Sequence, residues 1–249
     1  MVSEQDLVDF AVDYARQKGA TYAEARYERQ EQENFILKNG VLDALYSGQD
    51  RGIGVKVLAN GSLGFAATNT LTKPAVREIV GDAVRIAKAS WRKTPITFAQ
   101  EEAITTNWSV PEEKKLADVP VEEKIAEIQD VDKQVMALGL KIPARYFQLG
   151  DNRIIKYFGN SEGSRIRSYS PRLRMYYYLT VMHAGEAEQT HRDYGWSGGW
   201  EGLRMWDLTN RVLEEAKSMD RSLREGKKSP EGKMDLVVGP QVSGIAAHE

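Results

Sequence analysis

"ENFILKNGVLDALYSGQDRGIGVKVLANGSLGFAATN", residues 33–69, holds two Asn-Gly pairs set between apolar runs. "ENFILK" and "VLDALYSG" flank Asn39-Gly40, and "GIGVKVLA" and "SLGFAATN" flank Asn60-Gly61. A type I′ turn needs positive φ at both central residues, which Asn and Gly tolerate. Two such turns about 20 residues apart predict an antiparallel meander. Upstream, "AEARYERQ" alternates small or aromatic residues with charged ones, as a half-exposed strand does. Before it, Ser3 and Asp6 form a capping-box pattern ahead of Leu7, Phe10, Ala11 and Tyr14 at helical spacing, closed by Gly19. Downstream, Pro74 opens a helix over 73–91 with Val76, Ile79, Val80, Ala83, Ile86 and Ala87 on one stripe.

The order then recurs. Residues 90–120 contain three prolines and little periodicity, and read as a connection over the surface. A helix over 121–139 carries Ile125, Ile128, Val131, Val135 and Leu138 on one side. A second strand-rich run follows, with Asp151-Asn152 and "AGEA" (184–187) as turn signals. A last long helix spans roughly 205–224, followed by a polar linker at 225–233. "MDLVVG" (234–239) reads as a short buried strand leading into a helix at Pro240. Helices segregated from antiparallel strands predict an α+β fold. It comprises two successive helix/antiparallel-sheet units followed by the truncated start of a C-terminal catalytic domain. The expected boundaries are 1–95 (N-terminal α+β), 96–120 (connection), 121–228 (central α+β) and 229–249 (truncated start).

Composition narrows the classes. The chain has 249 residues, 41% hydrophobic and 28% charged, which is ordinary for a globular protein with a real core. It has no Cys, so neither a disulfide framework nor a thiolate metal site arises within it. A net charge of −2 gives no global basic excess for nucleic acid. "SRIRSYSPRLR" (164–174) is locally basic and reads as strand residues alternating into solvent. The N-terminus lacks a secretory pattern, and no apolar run reaches the ~20 residues a membrane helix needs. These features lead to an expectation of a cytoplasmic protein without nucleic-acid or membrane partners.

The chain ends on "GPQVSGIAAHE" (239–249). A His-Glu pair on a helix fits the opening of a zinc-hydrolase motif, in which the imidazole ligates the ion and the carboxylate takes a proton from its water; a chance pair at a native, fraying C-terminus is the competing reading. His248 and Glu249 supply one ligand and one base, whereas a catalytic zinc needs about three protein ligands. The other histidines, His183 and His191, lie among strands and read as exposed strand residues. Trp196, Gly198, Gly199 and Trp200 are candidate peptide contacts, since glycine admits close backbone approach and exposed Trp marks recognition. A tight strand end with Trp in the core is the competing reading of the same four residues. Asp235 and Glu201 read as solvated or capping.

Four stretches together carry a family likeness: "RGIGVKVLANGSLGFAATN" (51–69), "NSEG" (160–163), "GWSGGWE" (195–201) and "GPQVSGIAAHE". In this order they resemble the TldD/PmbA family of cytosolic metalloproteases. The resemblance implies the N-terminal and central part of a zinc-bearing member, with His248 as metal ligand and Glu249 as general base. It implies zinc in the full-length protein, no zinc firmly held by this part alone, and remaining ligands beyond residue 249. It further implies a dimer, with a related PmbA-like subunit or with self, acting on unfolded peptide. A non-catalytic α+β binding or assembly subunit that pairs with a catalytic partner is the alternative.

Overall fold

The computed structural model describes residues 3–249. Helix α1 (Glu4–Gln17) starts on the capping box: Ser3 Oγ accepts from Asp6 N–H at 3.1 Å, and the Asp6 carboxylate accepts from Ser3 N–H at 3.0 Å. Strands β1 (Tyr22–Lys38), β2 (Val41–Ala59) and β3 (Ser62–Thr68) form the meander. Asn39, Gly40, Asn60 and Gly61 all have positive φ, as a type I′ hairpin requires. Helix α2 (Lys73–Ala89) follows, capped by Thr72 Oγ1. Then come β4 (Thr105–Ser109), α3 (Val121–Ala137), β5 (Lys141–Asn160), β6 (Arg165–His183) and β7 (Glu186–Ser197). Helices α4 (Gly202–Trp206), α5 (Leu208–Glu225) and α6 (Pro240–His248) complete the chain.

All seven strands belong to one sheet, in the order β3-β2-β1-β5-β6, with β4 and β7 sharing the far edge of β6. The pairings are antiparallel except β4 with β6. The two helix/strand units are thus sewn together through β1 and β5, which pair from Glu24–Asn160 to Lys38–Tyr146. Odd-numbered residues of the central strands face the helices. Ala23, Ala25, Tyr27, Ile53, Val55 and Val57 meet α1 and α2 in one apolar cluster. Phe35, Leu37, Phe147, Leu149, Leu173, Met175, Tyr177 and Leu179 meet α3 and α5 in another. Even-numbered residues point to the opposite face, where Lys56 pairs with Glu24, Lys156 with Glu28, and Arg174 with Asp193. This is the half-solvated sheet that antiparallel pairing allows.

Four expectations are corrected. Asp151-Asn152 is no turn: β5 runs straight through it, with Asp151 opposite Glu33 on one side and Leu173 on the other. A central strand has two hydrogen-bonded neighbours, and that ladder outweighs a local turn preference. The surface connection contains β4 and a 3₁₀ turn at Leu116–Asp118, whose Leu116 is buried. The last helix is interrupted at Asp207, which sits in the left-handed region at φ 49°. "MDLVVG" is neither strand nor buried; Leu236 is 80% and Val237 97% exposed. Apolar β-formers make a strand only beside a partner, and none faces them among the described residues. The "AGEA" turn joins β6 to β7, with Ala184 and Gly185 at positive φ. No helix among the described residues is long and apolar enough to cross a membrane.

Candidate functional site

His248 and Glu249 lie at the end of α6, a nine-residue helix with no buried residue. Gly239 precedes it, Pro240 takes the first turn, and Ser243 Oγ donates to the Gly239 carbonyl at 2.8 Å. Glu249 N–H donates to the Ile245 carbonyl at 3.2 Å, so the Glu continues the helical turn. Both side chains are exposed. Neither of the other histidines comes to them. His183 Nδ1 lies 3.8 Å from Asp220 Oδ1, and Asp220 is also held by Arg224. His191 sits opposite Tyr178 and rests its ring 6.2 Å from that of Tyr176. Since His183 ends β6 and Tyr178 lies five residues earlier, the two imidazoles are roughly 17 Å apart along the sheet. Among the described residues no three His, Cys, Asp or Glu side chains are grouped to hold a metal ion. The residues present therefore do not make a zinc site by themselves.

The segment around Trp196–Trp200 is packed. Gly198, Gly199 and Trp200 are buried and Trp196 is half-buried. Trp200 joins Leu203 and Trp206 in the core, and its N–H donates to the Lys114 carbonyl at 2.8 Å. Gly199 is required by close approach, because a Cβ there would collide with that same carbonyl. Glu201 caps this turn: it accepts from Gly199 N–H at 2.8 Å and Lys114 N–H at 3.2 Å. Burial works against its charge, but these backbone donors win and hold the carboxyl below its usual range. Asp235 is exposed, in the unpaired stretch before α6.

A feature that motif reading missed lies on the helix-free face of the sheet. A shallow trough of about 670 Å³ runs over β1, β2 and β3, with Arg26, Glu28, Gly52, Gly54, Phe65 and Ala67 among its lining. Glycine forms its floor for a reason: a Cβ at Gly54 would come within 3.1 Å of the Phe65 ring, and one at Gly52 within 3.1 Å of the Thr68 carbonyl. Lys56 Nζ lies 2.8 Å from Glu24 Oε1, and Tyr22 OH donates to Glu24 Oε2 at 2.8 Å. Burial, then that carboxylate, pushes the Tyr22 hydroxyl up to about 12. The Arg26 guanidinium sits over the Phe158 ring at 5.7 Å. The trough contains no nucleophile beside a base; its ionic groups balance one another around an apolar floor. The even-position alternation of Arg26, Glu28, Gly52 and Gly54 is the signal that locates it.

The PmbA/TldA metallopeptidase domain 1 matches residues 23–87, which include the trough. The PmbA/TldA metallopeptidase central domain matches residues 114–220. A metalloprotease of Methanocaldococcus jannaschii is 28% identical over 233 residues, covering 92% of this chain and 50% of that protein. A metalloprotease of Methanothermobacter thermautotrophicus is 24% identical over 228 residues, 92% of this chain and 49% of that protein. TldE from Thermococcus kodakarensis shares the fold, with a TM-score of 0.69 at 11% identity over 85% of this chain and 47% of that one. The chain belongs to the PmbA/TldD family, a peptidase family. It spans about half the length of the curated relatives it matches.

Proposed function

We propose that this chain serves a zinc metallopeptidase that acts on unfolded or extended peptide in the cytoplasm. Family membership carries this reading, together with one imidazole and one carboxylate side by side on an exposed helix. In it His248 is one of the zinc ligands and Glu249 the general base. The folded body provides the scaffold and, in the glycine-floored trough, a surface for an extended chain. Trp196, Gly198, Gly199 and Trp200 support that scaffold by packing. In this reading the further donors a catalytic zinc requires come from outside the described residues, where no such group is assembled, and the chain by itself does not turn over peptide.

The test is complementation. The isolated chain should retain no stoichiometric zinc after dialysis and cleave no unfolded peptide. Mixed with the half of the Methanocaldococcus jannaschii relative that it does not cover, it should gain zinc and peptidase activity. His248→Ala should abolish both, and Glu249→Gln should abolish activity while leaving zinc bound. Stoichiometric zinc with turnover by the chain alone overturns the incompleteness. Activity indifferent to His248 and Glu249 overturns their assignment.

A second reading has one observation in its favour. The absence of a grouped donor set among the described residues suits a non-catalytic binding or assembly subunit that works beside a catalytic partner. Complementation separates the two, because such a subunit would support activity in which His248→Ala makes no difference.

A further inference from the structure

Ion pairs mark much of the helix-free face, but the pattern changes at the end of the sheet nearest the Asn39-Gly40 turn. There Lys38 lies opposite Tyr146, Tyr146 opposite Tyr178, and Tyr178 opposite His191. One cross-strand row thus carries two phenols and an imidazole. Tyr176 stands beside it, edge-on to the Tyr146 ring at 5.9 Å and 6.2 Å from the ring of His191. Between these rings and the hairpin lies a pocket of about 300 Å³, lined by Lys38, Asn39, Arg145, Tyr146, Tyr176 and Tyr178. The three tyrosines stay half-buried, on the side of the sheet away from the helices. Aromatic rings left open in a concave site are the groups that anchor a ligand.

The polar groups of the pocket are donors. Asn39 Oδ1 accepts from Arg145 N–H at 2.8 Å, which leaves the Asn39 amide NH₂ to donate. The Tyr178 hydroxyl accepts from Thr180 Oγ1 at 3.3 Å and from Gln189 Nε2, so its own proton is free to be given. Arg145 is spent: its guanidinium donates to Asp132 Oδ1 at 2.6 Å and to the Ile142 carbonyl at 2.9 Å. Lys38 has no carboxylate within 4 Å among the described residues. No Asp or Glu lines the pocket. Burial, then Tyr176 and Asp43, hold the Tyr146 hydroxyl above its usual range, so it stays neutral. Rings, donors and one unpaired ammonium are complementary to a planar apolar group beside a carboxylate. The volume is at the low end for ligand cavities and suits one ring with its carboxylate, not a whole cofactor. On a peptide, a C-terminal aromatic residue brings both on one carbon. The pocket is also within reach of the trough: Gln30 lines the trough and Lys38 the pocket, about 27 Å further along β1, the span of about eight extended residues.

We propose that this tyrosine pocket selects peptides by their last residue, seating a C-terminal aromatic ring among Tyr146, Tyr176 and Tyr178 and its carboxylate at Lys38. The proposal rests on the reading of the helix-free face as a surface for extended peptide, and it uses no residue of α6. Fluorescence anisotropy on the full chain tests it. The probe is an N-terminally labelled peptide of alternating Gly and Ser, about nine residues long, that ends in Phe with a free carboxylate. It should bind about tenfold more tightly than the same peptide ending in Ala. Amidating its C-terminus should weaken it about threefold, since Lys38 is exposed. Tyr178→Ser should abolish the Phe-over-Ala preference, and Lys38→Gln, a surface change that leaves the fold intact, should abolish only the acid-over-amide preference. Equal binding of the Phe-ended and Ala-ended peptides overturns the pocket and leaves the peptide surface standing. So does a preference that survives Tyr178→Ser, while N-acetylphenylalanine binding as tightly as the peptide overturns the peptide as occupant. Binding of neither peptide by the unaltered chain overturns the surface as well.

Discussion

Lys124, in the first turns of α3, is an unusual residue to bury, and it is 1% exposed. Its ammonium lies 2.6 Å from Glu33 Oε2 and 2.6 Å from Asp151 Oδ2, two carboxylates on adjacent strands. Arg153 Nε adds a contact to Asp151 Oδ1 at 3.4 Å. Burial drives the Asp151 carboxyl above its ordinary value; Lys124 and Arg153 pull it back down, and burial prevails. Because the folded carboxyl binds its proton more tightly than the unfolded one, its contribution to stability is complete at low pH and is lost as pH rises through the folded value. Lys124→Met removes the main cation and strands the carboxylate, at a cost of about 3–5 kcal/mol near neutral pH. That loss should be smaller at pH 4 than at pH 7, and Asp151→Asn should recover part of it. Chemical denaturation at the two pH values checks both. An equal loss at both would mean that Lys124 acts through its aliphatic stem instead.

At the level of elements, α2 lies directly against β3 at Gly64. A Cβ on Gly64 would sit inside the van der Waals envelope of the Ala83 carbonyl oxygen and crowd the Ala87 nitrogen. Both obstacles are backbone, so neither can swing aside. Gly64→Val should therefore lift α2 off the sheet and cost roughly 3 kcal/mol. The measurement is thermal unfolding, with Gly81→Ala as the control, since a Cβ at Gly81 meets nothing within 4 Å. Much of this level was legible in the sequence. Ser3, Pro74 and the two Asn-Gly pairs are short-range signals whose physics is local, and they mark real ends and turns. Asp151-Asn152 misled because its conformation is set by β1 and β6, which are distant in sequence. Asp207 escaped notice because nothing in "MWDLTN" marks a left-handed residue between two helices. Of the candidate site, His248 and Glu249 are visible as a residue pair. The trough is assembled from three strands and shows only as alternation.

The whole molecule has two apolar clusters but one sheet. Strand β1 gives Ala23, Ala25 and Tyr27 to the first cluster and Phe35 and Leu37 to the second. Strand β5 likewise contributes Phe147 and Leu149 to one and packs Tyr157 against the other. Melting either cluster would fray strands on which the other depends. The chain should accordingly unfold in one transition, despite its two helical pairs. Differential scanning calorimetry should give equal calorimetric and van't Hoff enthalpies, with fluorescence of the core residues Trp200 and Trp206 and far-UV circular dichroism changing together. Two resolved transitions would show that β1 and β5 are hinges rather than seams.

The helix-free face of the sheet bears on the divergence within the family. Along every central strand only alternate side chains enter the packed interior, so half of each strand is held by volume and half answers only to water and to whatever lies upon it. Substitutions can accumulate on the watered half for a very long time without disturbing the backbone path. TldE from Thermococcus kodakarensis keeps a TM-score of 0.69 with 11% of its aligned residues in common. A sheet packed on one side in this way keeps its backbone path through side chains of one parity and leaves the other parity free of packing constraint.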